Sequence, residues 1–370
     1  MNSLPFVSII LINFNGTGYI RNCIKSILQS DYSNFELIIV DNNSTDNSLD
    51  VVESEFHDDH RIRTIRSDKN LGFAAGNNLG AQYAKGKFLA LINIDTIVDA
   101  RWLTEVISLM EYDNTIGVAQ PKLLSLSNNL IYDSAGDYID FFGNNFRLGG
   151  TWNEKDSGQY DTIHEIFSAR GAALITTKEI VQNIGLFDED FFMTFEDIDF
   201  CWRARLYGKR VVFVPKSIVY HEGRGITSKD PFVVNHLTMH GFKNIQMCMI
   251  KNYEFIHMMK YGILSMIADI STGFFLLEPF IIQTDDKSAR IKAKLRAYLW
   301  VLSNARKLAY KRQHIQKNVR KVPDSEIMRY MIKTSIRDLV IWAFNVRRFG
   351  YLNARMLYVK NGLSHFDLEC

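Results

Sequence analysis

Residues 88–95 read FLALINID, and this stretch decides how the rest of the chain is interpreted. The first five residues are all apolar, which predicts a short buried strand. Asp95 follows just after the strand's end, where α/β sheets bind their ligands. One interpretation is that Asp95 holds a divalent cation against a phosphate group. The other is that it caps Thr96 and the turn towards a helix near Trp102.

The first part of the chain repeats this pattern of an apolar run that ends in polar residues. Residues 7–12 read VSIILI, and a glycine-bearing turn, a helical pattern and a second run, FELIIV at 35–40, follow. A strand, a helix and a strand joined by short loops form a βαβ unit, which implies a parallel sheet. Asp41 lies at the tip of the second strand, where a carboxylate can accept hydrogen bonds from a base or ribose. Alternatively it caps the next helix, as Ser44 and Asp46 also can.

Glycines recur at intervals of four in residues 70–80, which read NLGFAAGNNLG. On a helix, Gly72, Gly76 and Gly80 would share one face and let another backbone approach closely. The pattern is neither GxGxxG nor a Walker loop, so by itself it is weak evidence for phosphate binding.

Residues 125–161 are rich in Asn, Gly, Asp and aromatic residues and have no clear period. We interpret them as an excursion that contains short hairpins and lies over the active site.

A cluster of acids stands among aromatic residues at 187–203, which read FDEDFFMTFEDIDFCWR. Burial among aromatic rings raises the pKa of a carboxyl group and suits a general base. The acids also favour the dipole of a helix that starts near Glu196 and runs to Tyr207, and the two interpretations are compatible. His221 follows a strand and stands beside glycines. Imidazole suits Mn²⁺, whereas Mg²⁺ prefers oxygen ligands.

The length and composition of the chain limit the number of domains and indicate its redox environment. The chain has 370 residues, of which 47% are hydrophobic, so it forms one large domain with an appendage, or two domains. Its four cysteines are scattered without metal-like spacing, which favours a reduced environment over a disulfide framework. No basic region precedes the apolar run at 6–12, so we predict a first strand there and not a signal peptide.

Taken in order, these motifs resemble those of the inverting family-2 glycosyltransferases of GT-A type. Within that family the chain is most similar to rhamnosyltransferase-like and galactofuranosyltransferase-like enzymes. The resemblance covers residues 7–228 and rests on VSIILINFNG, LIIVDNNSTD, NLGFAAGNNLG, LINID, FFMTFEDIDFCWR and VYHEGRGITS. It implies an α/β fold, namely a GT-A (Rossmann-like), mostly parallel sheet flanked by helices. We expect this catalytic domain at residues 1–230 and a mainly helical C-terminal region at 231–370.

The resemblance also implies an activity and roles for particular residues. The reaction would move a sugar, rhamnose or a similar one, from a dTDP- or UDP-sugar to a hydroxyl of a lipid-linked glycan acceptor in cell-surface polysaccharide synthesis. Asp197 matches the general base, with Glu196 beside it, and Asp95 and His221 match the ligands of Mn²⁺ or Mg²⁺. The residues that would bind the nucleotide-sugar are Asn13, Asn15, Asp41, Asn43, Asn70, Gly72, Gly76, Asn77, Asn93 and Asp95. Those that would face the acceptor are Arg170, Gly171, Trp202 and Asp199.

One position departs from the family pattern. The metal motif begins with Asn93 where the family has Asp. Because an amide offers only a neutral oxygen to a hard cation, we expect weaker metal binding that depends more on the diphosphate.

The C-terminal third is basic and partly apolar. Residues 287–321 contain 12 Lys/Arg and no Asp/Glu, which leaves 31 basic and 41 acidic residues elsewhere. Ile291, Leu295, Leu299 and Leu302 recur at helical spacing within it. An apolar face beside a basic face predicts adhesion to anionic lipid at the cytoplasmic face of the membrane. The alternative is a solvated or oligomer-forming helix.

Residues 261–282 are rich in apolar residues and long enough to cross a bilayer. Asp269, Glu278 and Pro279 interrupt them, and acids near the middle of a membrane are expensive. We therefore predict an interfacial helix or a helix in a hydrophobic groove, and not a spanning one.

Two rival functions remain open. A nucleotidyltransferase would need a basic glycine-rich loop after the first strand, but no Lys or Arg occurs there before Arg21. A catalytically inactive scaffold would use the basic segment to bind a membrane or nucleic acid. Asp95, Asp197 and His221 speak against inactivity, and no nucleic-acid motif accompanies the segment, so we expect no nucleic-acid partner.

Overall fold

The computed structural model describes residues 4–150, 153–223, 231–264, 266–267 and 287–335. The chain divides into two compact units, which we call the sheet unit and the helical unit. The sheet unit takes its described residues from 1–136, 147–204 and 209–226, and the helical unit from 137–146, 205–208 and 227–370. Two short pieces before residue 230 therefore belong to the helical unit, and the domain boundary at residue 230 stays a prediction.

A mixed, mostly parallel sheet forms the centre of the sheet unit. Its strands lie in the order β10-β12-β6-β11-β4-β1-β2-β3, with β5 paired to β12 and β7 paired to β6. Strands β8 and β9 pair with each other in a second, two-stranded sheet. Pairs β1–β2, β2–β3, β1–β4 and β6–β12 are parallel, whereas β11 runs antiparallel between β4 and β6. The strands are β1 Val7–Asn13, β2 Phe35–Asp41, β3 Ile62–Arg66, β4 Phe88–Asn93, β5 Thr96–Val98, β6 Ile116–Ser125, β7 Tyr132–Ser134, β8 Asp137–Ile139, β9 Asn145–Arg147, β10 His164–Glu165, β11 Ala173–Thr177 and β12 Arg210–His221.

Helices cover both faces of this sheet, which is why its central strands are apolar without alternation. Ile9 and Leu11 of β1 are buried in one cluster with residues of the first and fourth helices. Ile10, between them, lies against the third helix. The helices are α1 Ile20–Leu28, α2 Ser48–Glu55, α3 Gly72–Tyr83, α4 Trp102–Tyr112, α5 Lys178–Ile184 and α6 Glu196–Leu206.

The glycines of α3 permit close packing on β1, as their spacing predicted. A Cβ atom at Gly80 would lie 2.5 Å from Ile10 Cγ2, and one at Gly76 would lie 3.5 Å from the Ile12 side chain. Helix and strand therefore approach more closely at Gly80 than any larger residue would allow.

Strand β12 is longer than the run at 209–214 predicted. It continues from Arg210 to His221, with a register irregularity between Val214 and Ile218. Pro215 lies in this irregular part, where a residue without a backbone N–H does not interrupt the ladder. His221 is consequently the last residue of the strand and is held by its pairing.

The helical unit contains the predicted basic helices. Its helices are α7 Pro231–Asn252, α8 Phe255–His257, which continues as a π-helix over Met258–Ile263, α9 Lys287–Ser303 and α10 Ala305–His314. Arg312 donates to the carbonyls of Ile250 and Tyr253 at 2.7 and 2.6 Å, and Gln316 donates to the carbonyl of Lys251 at 3.0 Å. These carbonyls lie at or just after the end of α7, where no following helical turn supplies N–H groups. Part of the basic segment therefore stabilises the helical unit itself.

Most of residues 261–282, where we predicted an interfacial helix, lies outside the described residues. Within the described ranges, no helix combines the length and the apolar character needed to cross a membrane.

Candidate active site

Polar side chains gather at the carboxyl ends of β1, β2 and β4. Asn13 pairs in register with Asp41, and Asn93 ends the neighbouring strand β4. The Asn13 amide nitrogen donates to Asp41 Oδ1 at 2.8 Å and to the hydroxyls of Ser44 and Ser48 at 3.0 and 2.8 Å. Asp41 is 4% exposed, so its carboxylate is held within this edge of the sheet.

The turns after β1 and β2 are bonded to each other. The Asn15 N–H donates to Ser44 Oγ at 3.0 Å, and Asn15 Oδ1 accepts from the Thr45 N–H at 2.8 Å. Asn15 and Asn43 have φ values of 52° and 65°, which asparagine tolerates better than most residues. The Asn15 side chain therefore shapes the turn, while Asn43 is exposed beside it.

Asn42, which no sequence signal distinguished from its neighbours, connects the end of β2 to the loop before α3. Its Oδ1 accepts from the Leu71 N–H at 2.8 Å, and its Nδ2 donates to Asn70 Oδ1 at 3.0 Å and to the Gly72 carbonyl at 3.1 Å. Gly72 has a φ of +76°, and a Cβ atom there would lie 2.5 Å from the Phe192 ring. The backbone conformation and the aromatic contact both require glycine at this position.

Two residues that were expected at the nucleotide lie in the packing of α3 instead. Asn77 is buried, and its side-chain nitrogen donates to the Phe73 carbonyl one turn earlier in the helix. Gly76 is buried against Ile12. Because neither presents a polar group at the open edge, both are left out of the proposed nucleotide site.

Asp95 and His221 lie together at the edge of the sheet. Strand β5 pairs with the end of β12, and the Glu222 N–H donates to the Asp95 carbonyl at 3.0 Å. His221 Nε2 is 3.3 Å from Asp95 Oδ1. Burial alone would lower the pKa of His221, but hydrogen bonds to Asp133 and Asp95 and their charges raise it to about 9. Burial would raise the pKa of Asp95, but His221 outweighs burial and lowers it.

A second carboxylate, Asp133 on β7, contacts the other nitrogen of the same imidazole. Its Oδ2 lies 2.8 Å from His221 Nδ1, and its Oδ1 accepts from Arg147 Nη1 at 2.9 Å. Burial would raise the pKa of Asp133, but the Arg170 charge, His221 and Arg147 hold it well below its usual range. Sequence reasoning missed this residue, because it stands in the excursion at 125–161, which has no period and no motif.

Asp197 stands at the start of α6 and is held by two backbone N–H groups. Its Oδ2 accepts from Gly171 at 2.8 Å and its Oδ1 from Ile198 at 2.8 Å. Glu196, the residue before it, is 5% exposed. Burial raises the pKa of Glu196 well above its usual value, and the nearby Asp197 charge raises it further. The raised pKa expected for acids among aromatic residues is therefore found at Glu196.

Asp199 and Trp202 are buried, and their side chains pack within the protein. Asp199 Oδ2 accepts from Arg203 Nε at 2.8 Å, and the Arg203 guanidinium also donates to the carbonyls of residues 184–186. The Trp202 ring packs edge-on against Phe167 with a centroid distance of 5.5 Å. Both residues anchor α6, and a role for them in the acceptor site stays a prediction.

A further cluster with metal-ligand chemistry lies in the helical unit. Glu254, His257 and Asp324 offer three ligand atoms within 4.8 Å of one another. Arg320 Nη2, however, already lies 2.9 Å from Asp324 Oδ1. Because a guanidinium supplies the positive charge there, the arrangement is that of a buried ion-pair network.

Comparisons with known proteins agree with the motifs. Residues 8–164 match the family described as Glycosyl transferase family 2. Over 116 residues the chain is 33% identical to an uncharacterized glycosyltransferase of Haemophilus influenzae, covering 31% of this chain and 36% of that protein. Over 206 residues it is 27% identical to the low-salt glycan biosynthesis hexosyltransferase Agl10 of Haloferax volcanii, covering 55% of this chain and 62% of that protein. The chain thus spans less than two thirds of the length of these curated relatives.

The fold has solved counterparts. A crystal structure of GalNAc-T7 with UDP, GalNAc and Mn²⁺ aligns with a TM-score of 0.58 at 16% identity, covering 82% of this chain and 58% of that one. This likeness shows the fold and confirms the predicted GT-A-like sheet flanked by helices, with a helical C-terminal region. Together with the family match it supports a family-2 glycosyltransferase. The rhamnosyltransferase-like or galactofuranosyltransferase-like assignment stays a prediction.

Proposed function

We propose that this chain is an inverting glycosyltransferase that moves a sugar from a dTDP- or UDP-sugar to a hydroxyl of a lipid-linked glycan. Rhamnose or a similar sugar is the donor group that its motifs favour. One observation supports the proposal most directly: the consecutive residues Arg170 and Gly171 contact the His221 side and the Asp197 side of the site, respectively. Arg170 Nε lies 3.7 Å from Asp133 Oδ2, beside His221, while the Gly171 N–H holds Asp197. The residues assigned to the metal site and the assigned general base, Asp197, are thus contacted by two consecutive residues of the chain.

Asp95 and His221 fit a divalent cation. Their nearest ligand atoms are 3.3 Å apart, a spacing that lets one ion contact both. A carboxylate with an imidazole suits Mn²⁺, and Asn93 nearby offers neutral oxygens. When bound, the ion would stabilise the negative charge that develops on the leaving diphosphate. The Mn²⁺ and UDP named for the GalNAc-T7 structure support this class of cofactor and donor.

The nucleotide is assigned to the edge formed by Asn13, Asp41 and the loop that begins at Asn70. Within the described part of the chain, Asn13 Oδ1 is buried without a hydrogen-bond partner. A buried acceptor of this kind is costly unless a ligand or water satisfies it. It therefore supports binding of a hydrogen-bond donor, such as a base N–H or a ribose hydroxyl, at this edge.

Asp197 is assigned as the general base. It removes the proton from the acceptor hydroxyl as that oxygen attacks the anomeric carbon, while the bond from this carbon to the phosphate oxygen breaks on the opposite side. A single displacement inverts the anomeric configuration. Because burial and the Asp197 charge raise the pKa of Glu196, its neutral form is favoured, and Asp197 is the acid that we assign to take the proton.

The outward face of α9 is assigned to an anionic membrane surface at the cytoplasmic side. Leu299 and Leu302 are 63% and 68% exposed, and Lys292 and Arg296 of the same helix are exposed as well. The opposite face of α9 packs on α7, so these leucines are free to insert among the acyl chains of a lipid interface, and the cations can contact its headgroups. This location would bring the enzyme to a lipid-linked acceptor.

The proposal is tested by hydrolysis of a panel of UDP- and dTDP-sugars with Mn²⁺, Mg²⁺ or EDTA, for the wild type and Asp95→Ala. We expect release of one nucleoside diphosphate that depends on metal and is lost in the variant. Asp99, at a later turn, gives the matched control Asp99→Ala, which should retain release. A folded wild type that neither binds nor hydrolyses any donor, even with a lipid-linked acceptor, would leave the inactive scaffold as the better explanation.

A further inference from the structure

We infer that Asp133 is a positioning residue that orients His221 so that its Nε2 atom faces Asp95 and a divalent cation. The inference rests on the proposed function, because it concerns the metal site of the same reaction. It adds a residue from the irregular segment at 125–161, to which neither the motifs nor the comparisons assign a role.

Both ring nitrogens of His221 face a carboxylate. Nδ1 lies 2.8 Å from Asp133 Oδ2, and Nε2 lies 3.3 Å from Asp95 Oδ1. The shorter distance is a full hydrogen bond, whereas the longer one leaves room for an ion to replace the direct contact. The imidazole thus makes its shorter bond on the Nδ1 side, and on the Nε2 side a bound ion would replace the longer contact with Asp95.

The two carboxylates differ in how their charge is balanced. Arg147 Nη1 lies 2.9 Å from Asp133 Oδ1, and Arg170 Nε lies 3.7 Å from Asp133 Oδ2. Among the ion pairs of the described residues, Asp95 has only His221. An added cation therefore gains more from Asp95, whose charge has no guanidinium beside it, than from Asp133.

The arginine contact also decides which partner donates in the bond to His221. Because Arg147 donates to one oxygen of Asp133, the carboxylate is ionised and can only accept at the other. Nδ1 must then carry a proton, so Nε2 is the nitrogen whose lone pair becomes available to a metal once the ring is neutral. A carboxylate behind a metal-bound imidazole is a recurrent arrangement that fixes the ring and makes the ligand more basic.

Strand pairing places Asp133 at the required position. It stands on β7 between Tyr132 and Ser134, which pair with Leu124 and Leu123 of β6. The same strand β6 pairs on its other side with β12, where His221 lies opposite Ser125. Asp133 thus reaches the imidazole across one strand, from a backbone position that the sheet holds.

The test measures Mn²⁺ binding to the full chain, alone and with UDP, by electron paramagnetic resonance, for the wild type, His221→Ala and Asp133→Asn. An asparagine has nearly the same shape, but its amide can donate to Nδ1 and drive the proton onto Nε2. We expect Asp133→Asn to bind Mn²⁺ about 10–100-fold more weakly. Electron spin-echo modulation should show a coordinated imidazole nitrogen in the wild type, which is lost in His221→Ala and reduced in Asp133→Asn.

Asp156→Asn is the matched control. Asp156 belongs to the same segment and accepts from buried Lys122 at 2.8 Å, but its bonds do not involve His221. It should keep wild-type Mn²⁺ affinity and nitrogen coupling, and thermal unfolding of each variant shows whether the fold is retained.

The outcomes separate this inference from the proposed function. If His221→Ala loses the nitrogen coupling while Asp133→Asn keeps both the coupling and the affinity, Asp133 does not position the ligand and the inference is overturned. If the wild type shows no nitrogen coupling, or His221→Ala binds Mn²⁺ normally, the proposed metal site is wrong and the inference falls with it.

Discussion

Two adjacent acids at the start of α6 have opposite surroundings. Glu196 is buried, and both this burial and the nearby Asp197 charge raise the pKa of its carboxyl group, which favours the neutral form. Asp197 is half-buried and accepts from the N–H groups of Gly171 and Ile198, which favour a negative charge. Two consecutive acids thus have surroundings that favour the neutral form of one and the charged form of the other.

Substitutions at these two acids should have unequal effects. Asp197→Asn removes the proton acceptor and is expected to lower kcat by about 10²–10⁴-fold. Glu196→Gln keeps the shape and neutrality of the protonated acid, so its kcat should stay within about 10-fold of the wild type. The measurement is transfer to a defined acceptor, with donor binding as the control. Equal losses in both variants would assign proton transfer to the pair.

The stability of the metal-free protein should depend on His221. Its folded pKa of about 9 exceeds the ordinary value of 6.5, so the protonated ring stabilises the fold. This contribution is fully present below pH 6.5 and is lost as the pH rises through about 9; it amounts to at most about 3 kcal/mol. Urea unfolding in EDTA should show a difference between wild type and His221→Gln that shrinks over this range. A difference that stays constant would contradict the ion pairs with Asp95 and Asp133.

At the scale of elements, the packing of α3 on β1 depends on one missing side chain. A methyl group at Gly80 would meet Ile10 Cγ2 at 2.5 Å, and Val40 Cγ2 lies 3.1 Å away. Both neighbours belong to central strands that cannot easily move. The glycine spacing along α3 therefore sets how close the helix lies to the sheet and where its N-terminal loop meets the site.

Gly80→Ala should lower the free energy of unfolding by about 1–3 kcal/mol, because the added methyl forces strand and helix apart. Gly18→Ala is the matched control, since a Cβ atom there would meet nothing within 4 Å. Urea unfolding measures both. If the two substitutions had the same effect, the close approach of α3 would not be a source of stability.

The helix α9 has one buried face and one exposed face that both carry apolar residues. Ala297 and Tyr298 are buried on its inner face, while Leu295, Leu299 and Leu302 are outside. The apolar spacing predicted a lipid-facing stripe, with a solvated or oligomer-forming helix as the alternative, and the three leucines of this stripe are exposed. Its charge and its exposed leucines belong to the same surface.

Replacing both Leu299 and Leu302 by Glu should weaken binding to phosphatidylglycerol-rich vesicles by at least about 10-fold, since each buried leucine contributes about 1.5–3 kcal/mol. Tyr112→Glu, at an exposed apolar residue of α4, should bind like the wild type. Vesicle flotation measures both, with phosphatidylcholine vesicles and high salt as further controls. Unchanged flotation, or loss of a dimer in the double variant, would show that this face meets something other than lipid.

At the scale of the whole molecule, the site residues all belong to the sheet unit. Asp95, Asp133, Asp197 and His221 come from positions up to 126 residues apart, yet they lie in one compact unit. Ligands that bind only the folded site should therefore stabilise that unit as a body.

A nucleoside diphosphate at about 100 times its dissociation constant should raise the free energy of unfolding by about 2.7 kcal/mol when Mn²⁺ is present. With EDTA in place of Mn²⁺ the increase should be smaller, because metal and diphosphate favour each other's binding and the coupling is reciprocal. Thermal unfolding with UDP and with dTDP measures this. Stabilisation that is identical with and without metal would argue against a shared site.

The sequence alone determined the first strands and helices and the parallel arrangement of those strands. The apolar runs at 7–12, 35–40 and 88–92 are those of strands buried on both faces, and the short polar turns and helical patterns between them favour parallel order. The ends of these strands therefore assign Asn13, Asp41 and Asp95 to one edge of the sheet. This part is local, since period and turn chemistry act over a few residues.

Tertiary structure decided which polar residues meet. Asp133 reaches His221 only because β7 and β12 pair with the same strand, and strand pairing between distant segments leaves no periodic signal in either one. Asn77, Asp199 and Trp202 were predicted from their motifs and are buried in the fold. A motif specifies residue types, whereas packing specifies which way each side chain points. Strand pairing between distant segments and burial depend on the whole fold. They therefore decided which residues complete a site whose first residues could be assigned from short sequence segments.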